Sequence, residues 1–167
     1  MKKISDYTKN NLEFKNCISD LLKTTEVQSL DNYTQHLNTS RLDHSLSVSY
    51  YSFKMSKFFK LDYKSSARAG LLHDLYLYDW RVEKQPEGNH AFAHPIVALR
   101  TAKEITSIND IESDAILNHM WPLATSMPRY KESIVVSIAD KFSTCVEVKS
   151  QLLKKAKSFL QIHPNTN

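Results

Sequence analysis

Only two glycines, Gly70 and Gly88, occur in 167 residues. A chain of many short strands turns often, and tight turns draw on glycine for backbone conformations that other residues resist. Long stretches of this chain instead repeat their apolar residues at spacings of three and four, the period of an α-helix. Scarcity and period together predict an all-α fold, a single-domain helical bundle. The length suits one domain with a proper core, and no stretch approaches the apolar length that crosses a bilayer. Cys17 and Cys145 stand far apart and outside any Cys-x-x-Cys pattern, which argues against a structural disulfide and fits a reducing cytoplasm. Met1-Lys2-Lys3 has no apolar region behind it, so no secretory signal is expected.

The formal net charge is +4. Part of it sits in the tail at Lys149, Lys154, Lys155 and Lys157, which reads as a solvated helix face. A nucleic-acid surface would carry a denser basic stripe with interleaved aromatics, so no stable nucleic-acid complex is expected. The mild excess favours anionic over cationic substrates.

Residues 7–30 read as one or two amphipathic helices with Leu12, Ile18, Leu21, Leu22 and Val27 as the apolar stripe; 31–40 reads as a polar connection. A long helix follows from about Ser40 to Phe59, with His44, Val48, Tyr51, Met55 and Phe58 or Phe59 on its inward face. Asp62 or Ser65 caps the next helix, about Ser66 to Tyr78. Ala67, Leu71, Leu75 and Tyr78 share one of its faces; Ala69, Leu72, His73 and Tyr76 share the neighbouring one. Gly70 costs helix propensity there, and the expected gain is close approach of the helix bearing His44.

Residues 79–93, punctuated by Pro86 and Gly88, read as a long loop of the kind that serves as a lid. They deliver His94-Pro95, where a new helix is expected to start and run to about Ile105. His90 and His94 are four apart, but the proline disfavours helix before it, so they are not read as a same-face pair. Asn109 with Glu112 forms a near capping box for a helix carrying Ile111, Ala115 and His119, ended by Trp121-Pro122. A last helix, about Tyr130 to Leu160, takes Ile134, Ile138, Phe142, Cys145, Val146 and Leu153 as its core face. Asp140 lies on its flank with Val136, Ser143 and Thr144.

Chemistry concentrates at Ala69-Gly70-Leu71-Leu72-His73-Asp74, an apolar run ending in an imidazole and a carboxylate. A buried carboxylate needs a compensating charge or hydrogen bonds, and a divalent cation would satisfy both residues. His44, His94, His119 and Asp140 look able to complete its shell. Each histidine alone has an ordinary reading as a core or capping residue. Jointly they come from four helices, and none brings an obvious lysine or arginine partner on the same face, as a structural ion pair would. Imidazole and carboxylate without thiolate suit Fe, Mn, Zn, Co or Ni. Asp74 has two oxygens and could bridge two ions.

His44, then His73-Asp74, then Asp140, in this order on successive helices, resembles the HD-domain superfamily of metal-dependent phosphohydrolases. The resemblance covers about Arg41 to Glu147, the core of the domain. It implies that His44, His73, Asp74 and Asp140 hold one divalent metal, with Fe or Mn favoured. His94 and His119 stand where two-metal members place extra histidines, so a binuclear centre is expected. The implied activity is hydrolysis of a phosphate ester, nucleotide or small phosphomonoester or diester, by a metal-activated water.

Substrate phosphate needs cations outside that shell. Arg41, one turn before His44, and Lys141, after Asp140, are the first candidates; Arg81, Lys84 and Arg129 on loops are weaker ones. His90 on the lid is a candidate proton donor to the leaving group. The chain lacks the Gly-Tyr-Pro signature of cyclic-dinucleotide phosphodiesterases, and Leu77 stands where they carry a lysine, which argues against cyclic di-GMP. Two other functions use the same residues: a di-iron oxygenase within this superfamily, and a non-catalytic metal-binding regulatory module. The expected partner is a small phosphate-containing molecule, with no membrane and with a homodimer left open.

Overall fold

The computed structural model describes residues 11–83, 88–123 and 126–162. Among them are seven α-helices and one short hairpin: α1 Leu12–Ile18, α2 Thr25–Ser29, β1 Thr34–His36, β2 Thr39–Ser40, α3 Arg41–Phe58, α4 Tyr63–Leu72, α5 His90–Ile105, α6 Asp110–Asn118 and α7 Lys131–Ile162. The fold is all-α. The polar connection expected at 31–40 contains the hairpin, whose strands pair antiparallel with Thr34 opposite Ser40 and His36 opposite Thr39.

The helices begin where side chains satisfy their first free N–H groups. Ser40 accepts from Asp43 N at the start of α3, Asp62 from Lys64 N and Ser65 N at α4, and Asn109 and Glu112 complete a reciprocal capping box at α6. The core gathers Phe14, Ile18, Leu21, Val27 and Leu30 from the N-terminal segment against Leu46, Val48, Phe53, Leu71 and Leu72.

α3 and α4 cross closely because Gly70 has no side chain. A Cβ built there would lie 2.9 Å from Ser49 Cα and 3.0 Å from Ser49 N, in backbone that cannot swing aside. The approach inferred from the sequence is present. Gly70→Ala gains about 1 kcal/mol of helix propensity and loses about 1–3 kcal/mol to overpacking. We expect a net loss of about 1 kcal/mol in denaturant unfolding; an unchanged or higher midpoint would show that the crossing yields.

Several expectations need correction. In α1, Leu12 is exposed and Phe14 and Cys17 are buried instead. At the end of α3, Phe58 and Phe59 face solvent. α4 stops at Leu72 rather than Tyr78, and beyond it the carbonyls of Tyr76 and Tyr78 accept from the Arg41 guanidinium. α5 begins at His90, because Asn89 accepts from Ala91 N and starts the helix a full turn before the proline. Pro95 lies inside that helix, and His90 and His94 share a face with ring centroids 4.8 Å apart.

α7 is turned opposite to expectation. Ile138, Phe142, Cys145, Val146 and Leu153 are exposed, while Ser133, Val136, Ser137, Ala139, Ser143 and Glu147 are buried. Small residues let α7 lie close to its neighbours, and its inward face carries the carboxylates that the interior histidines require.

No helix among the described residues is long and apolar enough to cross a membrane.

Candidate metal centre

Two of the histidines close helices. His73 follows α4 and His119 follows α6, each at the C-cap. Their Nδ1 atoms bond the carbonyl three residues back, Gly70 O at 2.9 Å and Ile116 O at 2.8 Å. Those carbonyls belong to last turns that lack helical partners. One bond therefore satisfies a helix end and aims a ring. His94, in the second turn of α5, bonds His90 O through Nδ1 at 2.8 Å. His44, in the first turn of α3, places Nδ1 at 3.1 Å from a Glu147 oxygen.

A carbonyl or carboxylate oxygen only accepts, so each Nδ1 bears the proton and donates. Each Nε2 then points the other way, towards its fellows. Outward Nδ1–H bonds of this kind fix tautomer and ring orientation in metal-ligating histidines.

The Nε2 atoms meet two carboxylates. His44 Nε2 is 3.1 Å from Asp140 Oδ1, and His73 Nε2 is 3.8 Å from the same oxygen and 3.4 Å from Asp74 Oδ2. Asp74 Oδ1 faces the other pair, 3.4 Å from His94 Nε2 and 3.7 Å from His119 Nε2. His94 and His119 point Nε2 at each other across 2.9 Å, two lone pairs that need a shared proton or cation between them. His73 Nε2 and Asp74 Oδ1 are buried and make no hydrogen bond. These orphaned atoms fit a metal ion. His44, His73 and Asp140 form one group able to hold an ion, and His73, Asp74 and His119 form a second, each with its ligand atoms within 4.8 Å of one another. His73 stands in both, and its one free nitrogen serves one ion.

The electrostatics follow the same division. Burial opposes charge on His44, but hydrogen bonds to Asp140 and Glu147 outweigh it and raise its pKa to about 10. Burial and the neighbouring His73 and His94 push His119 down to about 3. Against the cost of burial, His73, His94 and His119 hold the Asp74 carboxyl well below the usual carboxylate range.

A cleft of about 360 Å³ opens on the centre, walled in part by Tyr76, Trp80, His90, Met120, Leu123 and Lys141. The structure thus brings His44, His73, Asp74, His94, His119 and Asp140 together, and Asp74, His94, His119 and Asp140 line the cleft.

The expected phosphate contacts sit differently. Arg41 is fully buried, its guanidinium 3.5 Å from the Tyr76 ring centroid and 4.7 Å from that of Tyr33. Its donors go to Tyr76 O, Tyr78 O and Gln35 Oε1, so it is not at the mouth. Lys141 lines the cleft, but Nζ donates to His119 O, Ser137 O and Ser137 Oγ, one partner for each of its three protons. Arg81 pairs with Asp79 and donates to Thr34 O. Arg129 serves the buried Asp114 carboxylate. Lys84 lies outside the described residues. His90 lies in the cleft wall beneath Trp80, their rings stacked at 5.1 Å. Burial and the neighbouring His94 lower its pKa to about 4.

Sequence reasoning missed Gln35, His36, Tyr76 and Glu147. Glu147 is two helical turns from Asp140, a spacing that puts both acids on one face. Gln35, in a polar connection, gave no signal.

An all-α scaffold with buried imidazoles and carboxylates converging under a cleft defines a candidate divalent-metal centre. The chain belongs to the HD domain family, whose model matches residues 41–145, a span that includes all six converging side chains. Neither curated proteins nor solved structures yield a match.

Proposed function

We propose that this chain is a metal-dependent phosphohydrolase acting on a small phosphate monoester. The observation that supports it most is the set of four inward Nε2 atoms, with Nδ1 committed outward, meeting Asp74 and Asp140 under an open cleft. His44, His73, Asp74 and Asp140 would hold one divalent ion; Asp74, His94 and His119 would hold a second. Such ions, drawn from Fe, Mn, Zn, Co and Ni by the mixed nitrogen and oxygen donor set, would supply the Lewis acidity that activates water and neutralises phosphate oxygens.

The chain's own residues then bind and orient. Lys141 contributes a fixed positive charge to the cleft wall while its protons stay on His119 and Ser137. Tyr76, Trp80, Met120 and Leu123 offer apolar and aromatic surface to a leaving group. Lys141 is the one lysine or arginine among the described residues lining the cleft, which favours one phosphate over a triphosphate chain.

The test is phosphate release by Mn- or Fe-loaded protein from nucleoside monophosphates, aryl phosphates and nucleoside triphosphates, with and without oxygen. The expected result is oxygen-independent release, faster from monoesters than from triphosphates. Oxygen-dependent turnover by the iron form would make it a di-iron oxygenase, and metal binding without any turnover a regulatory module; either overturns the proposal.

A further inference from the structure

Asp74 divides its two oxygens between two tasks, and the hairpin sets that division. Gln35, on β1, donates from Nε2 to Asp74 Oδ2 at 2.5 Å. Its Oε1 accepts from Arg41 Nε at 3.1 Å and from Tyr76 OH at 3.4 Å. A guanidinium has no acceptor, so the amide oxygen must face Arg41 and the NH2 must face Asp74. The amide has one orientation.

The support behind Gln35 is rigid. Arg41 is buried between the Tyr33 and Tyr76 rings and tied to backbone carbonyls. Arg41 N donates to Tyr33 O at 2.8 Å, closing the base of the hairpin. Its far end is pinned to α7 by Gln151, which accepts from Asn38 N at 2.9 Å and donates to Thr39 Oγ1 at 2.6 Å. With Oδ2 held by Gln35, Asp74 Oδ1 stands free of hydrogen bonds and faces His94 and His119.

We infer that Gln35, held by Arg41, is the positioning residue that presents Asp74 Oδ1 to the His94–His119 pair. The metal-centre reading above underlies this inference. The role of Arg41 is then to orient Gln35, which accounts for a buried guanidinium beside the centre whose donors go to Gln35, Tyr76 O and Tyr78 O. Half of the centre depends on the hairpin: the contacts among His44, His73 and Asp140 do not involve Gln35.

Gln35→Met keeps the bulk of the side chain and removes the donor. Full-length wild type and variant, stripped of metal, are titrated with Co(II) and followed by equilibrium dialysis and by the visible absorption of the bound ion. Loss of such an outer partner typically costs about 10–100-fold in metal affinity. In Gln35→Met the ion held by His94 and His119 is expected to bind at least about 10-fold more weakly, with a changed Co(II) spectrum, while the ion at His44, His73 and Asp140 shifts less, since Gln35 touches none of those three side chains. Gln35→Ala, which truncates the side chain instead of reshaping it, should give the same selective loss. Both variants should melt, metal-free, within a few degrees of wild type. Folded variants that bind every ion as wild type does, with the same spectrum, would overturn the inference and leave the metal centre standing. A wild type that takes up no Co(II) would overturn the metal-centre reading itself.

Discussion

Asp74→Ala is expected to strip the centre of metal. Asp74 is the residue whose two oxygens face different histidines, Oδ2 towards His73 and Oδ1 towards His94 and His119. Its removal takes a ligand from each candidate ion and leaves a cluster of imidazoles without their central negative charge. A divalent ion held by the remaining neutral nitrogens and Asp140 alone lacks the charge balance that compensates its dehydration. Elemental analysis of protein purified without chelator should find retained metal reduced to background in the variant. Metal content within a factor of about two of wild type would remove Asp74 from the ligand set, since direct ligands matter more than the outer partners worth 10–100-fold. His73→Ala should behave alike, because His73 Nε2 is buried and has no hydrogen-bond partner to compete for it.

Arg68→Ala is expected to cause a large loss of stability at a distance from the centre. The guanidinium joins three separate segments to α4: Nε donates to Glu112 Oε1 at 2.8 Å, one terminal nitrogen to Asp20 Oδ2 at 2.7 Å and the other to Thr106 Oγ1 at 3.0 Å. The Asp20 carboxylate is 59 % exposed and its pair contributes little. Glu112 is 3 % exposed, so truncating Arg68 leaves a buried carboxylate without its cation. Losing one partner of a buried pair costs about 3–5 kcal/mol. The Glu112 bond to Asn109 N persists, which puts the expected cost near the lower end, about 3 kcal/mol. Denaturant unfolding at pH 7 measures it. A loss below about 1 kcal/mol would mean that the Glu112 carboxylate is hydrated and the pair behaves as a surface one.

Much of the candidate site could be read from the sequence because its residues sit at helix-defined positions. His44 follows a cap by one turn, His73 and Asp74 end an apolar helix, and Asp140 shares a flank with small residues. The all-α class followed from glycine scarcity and period. The orientation of α7 was not legible, because a hydrophobic stripe predicts the buried face only where apolar burial decides packing. Here Asp140 and Glu147 must face His44, and the stripe of Ile138, Phe142 and Val146 is left outside. The start of α5 is hard to read because His94-Pro95 resembles a helix start of its own, while the Asn89 cap lies a turn upstream. Arg41 has the spacing from His44 that a substrate contact needs, while its partners, Tyr33, Gln35 and Tyr76, come from positions that no periodicity links to it. Long-range hydrogen bonds of that sort leave no pattern in a single sequence.

The central claim is that side chains from four helices and their ends close on a shared divalent cation. Crystals of the Mn- or Fe-loaded protein, measured at the metal's absorption edge, locate the ion by its anomalous scattering. The account predicts a peak within about 2.0–2.3 Å of His44 Nε2 and His73 Nε2, with Asp74 and Asp140 oxygens completing the shell. Loaded crystals whose anomalous peaks all lie away from these atoms would contradict it.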